Sequence, residues 1–418
     1  MKLLRNICRI LVGAVFICSG FVKGVDPWGS AYKFIDYFNA FHLSILNPAA
    51  LSFSFLLSLF EFTVGICLFL NIKTKWAAWG ALLFMVIFTP LTLVLAITNP
   101  VSDCGCFGDA FILTNWQTFW KNIILLILVL LLFRQRKQFV PLFNFLEQTV
   151  IVIIAICLML GIEAHSYRHL PILDFRPYAI GTHLSENMGS TTNTQQEEYI
   201  LTLLYKNKKT GDIQEFTEQD YPWQDTLNWE FVSSSEKLLQ EGSEAPIHDF
   251  IIEHPLRGDI TQDILQDPGY TFLAVSYNLD RANPSRQDKI NELAGYVQGK
   301  GYRFYGLTSS LPGEIREYSE KHKVNYTFCT TDEIQLKTMI RSNPGIILLH
   351  QGTVIAKWGY RDIPDINDIK NKDLAAYCIT GQQKQSDRYM LYALILLCTS
   401  CLGGYCARKY WKQRRKEY

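Results

Sequence analysis

Long apolar segments constrain this chain more than any other feature of its sequence. A transmembrane helix needs about 20 mostly apolar residues, and five segments reach or approach that length: 49–70, 76–97, 117–133, 145–162 and 389–406. A sixth, 4–22, carries Arg5 and Arg9 near its start. Its run from Ile10 to Val22 also has the length of a signal-peptide core, and a cleaved signal sequence is the alternative. Because no small-residue cleavage site follows, we expect six membrane-spanning helices.

Residues 163–388 differ from these segments, because they have the mixed composition of a water-soluble domain. Of 418 residues, 49% are hydrophobic and 19% are charged, so the apolar residues are concentrated in the predicted spans. The formal net charge is +1, and the one basic run is the C-terminal tail, 407–418. This balance predicts membrane lipid as a partner and no nucleic acid. We interpret the tail as a topology anchor, with an anionic-lipid or partner-binding segment as the alternative.

Lysine and arginine predict how the spans are oriented, since cytoplasmic loops are enriched in them. Basic residues precede span one, join spans two and three, join spans four and five, and follow span six: Lys2, Arg5, Arg9, Lys73, Lys75, Arg134, Arg136, Lys137 and the tail. These sets share one side only if both termini are cytoplasmic. We therefore expect the loop 23–48, the segment 101–116 and the polar domain to lie outside the cytoplasm.

Two cysteines one residue apart lie in the polar segment "VSDCGCFGDAFILTNW", which follows the third predicted long span. A disulfide between Cys104 and Cys106 would close a small, strained ring, so it would be labile and comparatively oxidising. Gly105 permits the unusual backbone angles of such a turn. Asp103 and Asp109 argue against a reactive pair, because nearby carboxylates disfavour the thiolate. Three alternatives remain open: a redox-active dithiol, a structural disulfide or plain turn, and a metal site lacking the usual further ligands.

The other nine cysteines are expected to carry no chemistry. Seven lie in or at the ends of predicted spans, where a thiol behaves as a small apolar side chain: Cys8, Cys18, Cys67, Cys157, Cys398, Cys401 and Cys406. Cys329 and Cys378 lie in the polar domain and are expected to be buried or incidental thiols. A bridge between these two cannot be judged from their spacing.

Ionisable residues in the predicted spans are functional candidates, since such groups are costly inside a bilayer. Glu61 lies near the middle of span two. It is interpreted as a proton carrier or hydrogen-bond partner for a quinone, or as a protonated carboxyl bonded to a serine or threonine. Lys23 and Asp26 are expected to pair, or to act as interfacial anchors. His165 and His169 lie on one helical face near Glu163, in a spacing that can bind a metal but is also typical of a solvated helix end.

The membrane block resembles the DoxX family and its MauE branch over residues 1–135. The resemblance is carried by "SGFVKGVDPWGSAYKF" after span one, the glutamate in "LFEFTVGICLFL", and "DCGCFGD" after span three. It implies a four-helix membrane bundle, an association with quinone-linked or thiol oxidation, and disulfide formation or partner maturation in the bacterial envelope. We therefore expect an inner-membrane protein with Cys104, Cys106 and Glu61 as catalytic residues, a membrane quinone as the candidate cofactor, and an extracytoplasmic client protein. No metal ligands are assigned.

Residues 242–375 resemble the thioredoxin and peroxiredoxin fold. The apolar run 270–277, a helical pattern at 285–299 and the strand "YRFYGLTSS" predict a parallel crossover unit. The helix "GEIREYSEKHK" and a hairpin in "NPGIILLHQGTVIAKWGY" follow. The resemblance implies that Pro344 is the cis-proline that faces the active site, and makes it the candidate residue for client docking.

The sequence departs from this family where its cysteines should lie, because "NLDRANPSR" follows the first central strand and contains none. The expected architecture is thus a MauE-like bundle (1–135), a fifth span (145–162), a β-rich extension with a hairpin around Thr210 and Gly211 (163–241), a thioredoxin-like α/β domain (242–375) and a sixth span (389–406). Two functions remain open: a thiol:disulfide or electron-transfer helper, and a non-catalytic membrane scaffold, binding or maturation factor.

Overall fold

The computed structural model describes residues 2–101, 103–141, 143–189, 198–208, 213–217, 228–240 and 250–370, together with residues 247, 374, 376–378 and 381. The predicted sixth span, the basic tail and the turn at Thr210 and Gly211 lie outside these residues.

Six long helices form the N-terminal block: α1 (Lys2–Val25), α2 (Pro27–Ala40), α3 (Ala50–Phe69), α4 (Thr74–Thr98), α5 (Asn115–Arg134) and α6 (Phe145–Arg168). Short 3-10 turns precede α3 and follow α5, at Ser44–Ala49 and Arg136–Gln138. Every helix except α2 is long and apolar enough to cross a membrane, which matches five of the predicted spans. The protein is therefore a multi-pass membrane protein.

Helices α1 and α3 cross with their backbones in contact. A Cβ atom at Gly20 would lie 2.5 Å from the amide nitrogen of Phe62, and one at Gly13 would lie 2.7 Å from that of Phe69. Gly65 of α3 is equally close to the backbone of α1. Small residues at the contact are the usual means by which membrane helices approach so closely. Because α1 is packed as an integral helix of the bundle, the signal-sequence alternative is disfavoured.

Arg5 and Arg9, two of the basic residues used to orient the spans, lie at the opposite end of the bundle from the cysteine-containing segment. Arg9 donates hydrogen bonds to the carbonyl oxygens of Leu68 and, at 2.6 Å, of Phe69 at the end of α3. Arg5 donates to Gln138, which follows α5. The segment containing Cys104 instead contacts the other end of α1. These basic residues and the contact with the cysteine turn therefore lie at opposite ends of α1.

A seven-stranded mixed sheet forms the polar domain, in the order β10–β9–β6–β7–β8–β4–β5. Its strands are β4 (Glu253–His254), β5 (Gly258–Asp259), β6 (Tyr270–Val275), β7 (Arg303–Thr308), β8 (Thr327–Thr330), β9 (Gly345–His350) and β10 (Thr353–Gly359). The helices of this block are α7 (Leu184–Asn187), α8 (Thr261–Leu265), α9 (Gln287–Gly299), α10 (Pro312–His322), α11 (Glu333–Met339) and α12 (Ile366–Ile369).

The order and direction of the central strands are those of a thioredoxin-like fold. Strands β6, β7 and β8 are parallel, and β9 runs antiparallel to both β6 and β10. The predicted crossover through α9 and the predicted β9–β10 hairpin are thus confirmed, as is the cis bond between Asn343 and Pro344. The two-residue strands β4 and β5 were not predicted, because they are too short to show a period.

Both faces of the central sheet are buried. Leu273 and Val275 of β6 face one core, and Phe272 and Ala274 face the other, where α9 packs. This continuous burial explains why the strands appear in the sequence as unbroken apolar runs.

Before this domain, β1 (Glu198–Asn207), β2 (Ile213–Thr217) and β3 (Trp229–Gln240) form an antiparallel sheet in the order β2–β1–β3. Strands β1 and β2 are the two arms of the predicted hairpin. The third strand, β3, was not predicted.

Candidate functional site

Cys104 and Cys106 lie in the segment between α4 and α5, with their Sγ atoms 2.9 Å apart. Both are free thiols in the structure. Gly105 and Gly108 have positive φ angles of 63° and 52°, and the Gly108 amide donates to the Gly105 carbonyl at 3.0 Å. The predicted need for glycine in this turn is therefore confirmed, since other residues rarely adopt such angles.

Three side chains from α1 and α2 hold this cysteine turn in place. The Tyr37 hydroxyl donates to the carbonyl of Cys104 at 2.5 Å, and the Ser19 hydroxyl donates to that of Cys106 at 2.8 Å. Lys33 donates to Asp103 at 2.6 Å. The sequence analysis missed all three holding residues. Lys33 and Tyr37 are four residues apart and therefore share a face of α2, which is the signal that could have found them.

Cations pair with both carboxylates that flank the thiols. Asp103 accepts from Lys33 at 2.6 Å, and Asp109 accepts from Arg341 at 2.8 Å. The expectation that these carboxylates oppose a thiolate neglected the two cations, which offset the negative charge. No local pattern predicts that Arg341, 232 positions away from Asp109, contacts this segment.

The two thiols are electrostatically unequal. The hydrogen bond from Cys104 lowers the pKa of Cys106, and the positive charges of Lys121 and Lys23 lower it further. The same hydrogen bond, together with burial, raises the pKa of Cys104. Cys106 is therefore the sulfur that more readily carries the negative charge.

A buried ion pair lies inside the bundle near the cysteine turn. Lys23 Nζ is 2.8 Å from both carboxylate oxygens of Glu61 and 2.8 Å from the Ser19 hydroxyl. Glu61 is 1% exposed and Lys23 is 6% exposed, so the pair is out of contact with bulk solvent. Since Ser19 also bonds to Cys106, a chain of hydrogen bonds joins the pair to the cysteine turn.

Of the two roles considered for Lys23 and Asp26, pairing with each other is wrong. Asp26 caps the first turn of α2, where its carboxylate accepts from the Gly29 amide at 3.0 Å, and it also pairs with Arg341. Lys23 finds its counter-ion at its own depth in the bundle, because a buried charge needs a partner that is buried with it. Two opposite charges in neighbouring apolar spans were the signal for this pair.

The dithiol and the ion pair line the same cavity. It measures about 850 Å³ counted together with its open mouth. Its walls are largely aromatic and aliphatic, and polar side chains are contributed by Lys33, Lys121 and Asn122. Mostly apolar walls with a few convergent polar groups are typical of ligand pockets.

The histidine pair on α6 does not build a metal centre. The rings of His165 and His169 are 5.0 Å apart, and His169 Nδ1 lies 2.7 Å from Asp362 Oδ1 in the segment after β10. Glu163 instead accepts a hydrogen bond from Ser58 of α3 at 2.5 Å. Within the described residues, no group of three or more histidine, cysteine or acidic side chains is arranged to hold a metal ion.

The remaining predicted residues lie in the thioredoxin-like domain. Cys329 and Cys378 are buried in the cores on opposite faces of the sheet, so a bridge between them is excluded. Pro344 is buried and directly precedes β9. Beside it, Asn343 donates to the carbonyl of Asn278, in the cysteine-free segment after β6.

Residues 1–135 match the family model described as methylamine utilisation protein MauE. Helices α1–α5 are thus similar to the MauE membrane family. The match covers the cysteine turn, Glu61 and Lys23, but none of the thioredoxin-like domain. Residues 199–241 match a domain of unknown function, DUF8463, which includes most of the β1–β3 sheet. No curated protein matches the chain.

Solved structures similar to part of the chain include two bacterial proteins. One is the thioredoxin domain of a thiol-disulfide oxidoreductase from Bacteroides vulgatus, with 16% identity and a TM-score of 0.23, covering 26% of this chain and 82% of that chain. The other is a candidate thiol:disulfide interchange protein DsbE from Chlorobium tepidum, with 13% identity and a TM-score of 0.23, covering 26% and 80%. The fold assignment rests on the strand order and not on these scores.

Proposed function

We propose that this protein is a thiol:disulfide redox or electron-transfer protein of the bacterial envelope, with Cys104 and Cys106 as the reacting pair. The observation that carries the proposal is the location of two thiols, 2.9 Å apart, in the cavity that also contains the Glu61–Lys23 ion pair. A small movement would close this pair, since bonded sulfurs are about 2.05 Å apart. An ionisable pair at this depth is costly enough to favour a functional role.

The difference in pKa between Cys104 and Cys106 favours one order of attack in the thiol–disulfide exchange. When the pair is oxidised, a client thiolate attacks Cys104 Sγ, the bond to Cys106 breaks, and Cys106 leaves as a thiolate. This direction is favoured because the sulfur with the lower pKa leaves faster. The second client thiolate then attacks the client sulfur of the mixed disulfide, and Cys104 leaves and takes up a proton. The client gains one disulfide, and the protein pair gains two electrons.

A membrane quinone is the acceptor that we propose for these electrons. The residues of the cavity fit such a ring, because Phe84 and Phe88 supply aromatic walls and Lys121 supplies a hydrogen-bond donor. When bound, a quinone accepts two electrons and two protons. The Glu61 carboxylate, 2.8 Å from Lys23 Nζ, can hold a proton released by the thiols at its Oε atoms.

The thioredoxin-like domain is proposed as the client-docking module, with Pro344 at its docking edge. It lies at the same end of the bundle as the cysteine turn. Arg5 and Arg9, which precede the first span, lie at the opposite end. By the rule that basic residues stay inside, the domain and the turn face the periplasm, and both termini of this inner-membrane protein are cytoplasmic.

A second candidate function is a non-catalytic scaffold or a binding or maturation factor with a structural cysteine turn. The observation that favours it is the absence of cysteine from the segment 276–286, where a redox-active thioredoxin-like domain carries its thiols. The contacts from Ser19, Lys33 and Tyr37 would serve a structural turn equally well.

Trapping with a membrane-impermeant alkylating agent distinguishes the two functions. In respiring cells we expect Cys104 and Cys106 to be labelled only after addition of reductant, and to be labelled directly once respiration is blocked. The Cys106→Ser variant should capture a client through Cys104. The matched control, Cys329→Ser, should leave this cycle unchanged. Labelling that is the same in every respiratory state would reject the redox function in favour of the scaffold.

A further inference from the structure

Arg341 joins three parts of the molecule through one buried guanidinium group. It belongs to the thioredoxin-like domain and lies three residues before Pro344. Its Nε atom is 2.9 Å from Asp26 Oδ2 at the start of α2, and its Nη2 atom is 2.8 Å from Asp109 Oδ2 in the segment that carries the cysteine turn. The side chain is only 5% exposed. A domain segment is thereby tied to both α2 and the cysteine-bearing segment.

The surface of α2 is shaped to receive this arginine. A Cβ atom at Gly29 would lie 2.8 Å from Arg341 Nη2, so a larger residue there would collide with the guanidinium group. The guanidinium carbon lies 5.3 Å from the centre of the Tyr32 ring, a distance typical of a cation–π contact. Tyr32 also shares a hydrogen bond with Tyr277, in the segment after β6. The guanidinium group of Arg341 therefore has a specific binding site on α2.

Helix α2 lies directly over the cysteine turn. Its Lys33 and Tyr37 bond to Asp103 and to the Cys104 carbonyl. A Cβ atom at Gly105, between the two cysteines, would lie 3.0 Å from the Lys33 side chain. With 14 residues, α2 is too short to span a bilayer. It packs on α3, where the rings of Phe34 and Phe38 contact Phe53. A tilt of α2 about this contact, which moves Lys33 and Tyr37 away, would expose the turn.

We propose that α2 is a flap over the dithiol and that Arg341 is the clamp that holds this flap closed. Binding of a client polypeptide at the edge around Asn343 and Pro344 displaces the neighbouring Arg341 from Asp26 and Asp109, and α2 then releases the cysteine turn. The role of the client rests on the proposed function. The clamp controls access to the thiols. This part of the proposal does not depend on whether the thiols transfer electrons.

The test compares two maleimides on the full-length protein in membranes, one small and one carrying a bulky polymer. Removing a charge near the thiols alters the thiolate fraction, which changes both rates equally, so the ratio of bulky to small labelling at Cys104 and Cys106 reports access alone. In Arg341→Gln and in Asp109→Asn we expect this ratio to rise about tenfold or more, because a buried ion pair is broken. Arg257→Gln, which removes an exposed arginine of the same domain, is the matched control.

A ratio that stays at the control value in folded Arg341→Gln and Asp109→Asn overturns the proposal. If Arg341→Gln loses its cooperative thermal transition, Asp109→Asn decides, because it breaks only the ion pair that ties the cysteine-bearing segment to the clamp. A raised ratio in a protein whose thiols never cycle would support the clamp while rejecting the proposed redox function. The two failures are therefore distinguishable.

Discussion

The membrane bundle and the thioredoxin-like domain each hold one half of what a thiol-exchange protein needs. The bundle carries Cys104 and Cys106, a cavity and a buried ion pair, without any thioredoxin-like strand order. The domain carries that strand order and a cis-proline, with no cysteine in the segment 276–286. The contrast teaches that a fold and its usual chemistry are separable within one chain. Arg341 matters for this reason, because it joins the thioredoxin-like domain to the bundle.

The largest effect should come from the ion pair in the bundle. Glu61→Gln leaves the Lys23 ammonium group buried without a counter-ion, and should lower the free energy of unfolding by about 3–5 kcal/mol. Denaturant-induced unfolding in detergent measures this loss. If the contrast is correct, the thioredoxin-like domain should retain its own unfolding transition.

The double variant Lys23→Met with Glu61→Leu is the control for this prediction. Because it removes both charges, it should recover most of the lost free energy of unfolding. A single Glu61→Gln variant as stable as the parent protein would show that the pair is not held in the buried geometry described above.

A second contrast separates the thiols of the two regions. The thiolate is the reactive form, so the alkylation rate of Cys106 should rise with pH through a midpoint below the value of about 8.5 for an ordinary cysteine. Burial raises the pKa of Cys329 to about 11, so that thiol should stay protonated and unreacted at pH 8 in the folded domain. Mass spectrometry of labelled peptides across a pH series measures both.

The Cys104→Ala variant sharpens this second contrast. It removes the hydrogen bond that is the main cause of the lowered pKa of Cys106, so the midpoint for Cys106 should move to higher pH. A midpoint that remains in place after this substitution would contradict the assigned cause.

The smallest effect should come from an exposed ion pair of the thioredoxin-like domain. Arg257 and Asp263 have side chains that are 53% and 51% exposed. Arg257→Gln should therefore change the free energy of unfolding by at most about 1 kcal/mol, measured in the same detergent as the Glu61 series. A loss as large as that of Glu61→Gln would break the distinction between buried and exposed pairs.

The sequence predicts most of the fold because its signals are local. Apolar length finds the five described spans, and alternation of strand and helix patterns finds β6, α9, β7 and the β9–β10 hairpin. The cysteine turn is equally visible, because its residues are adjacent in the chain. The sixth span and the orientation of the protein across the membrane remain predictions.

The contacts that hold the site escaped the sequence analysis because they are between distant residues. The sequence suggests Asp26 only as a near neighbour of Lys23, whereas the interior of the bundle brings Lys23 to Glu61, 38 positions away. Arg341 and Asp109 are further apart still, and no local pattern connects them. Packing in three dimensions decides such pairs, and one sequence contains no record of it.

The glycine crossing of α1 and α3 has a further consequence for the pair that these helices carry. Because main chain touches main chain at Gly13, Gly20 and Gly65, no intervening side chain can act as a spacer. Helices α1 and α3 are therefore expected to move together. Side-chain motion elsewhere in the bundle should change the distance between Lys23 and Glu61 only slightly. The separation of these two charged groups is accordingly set by contact between main chains.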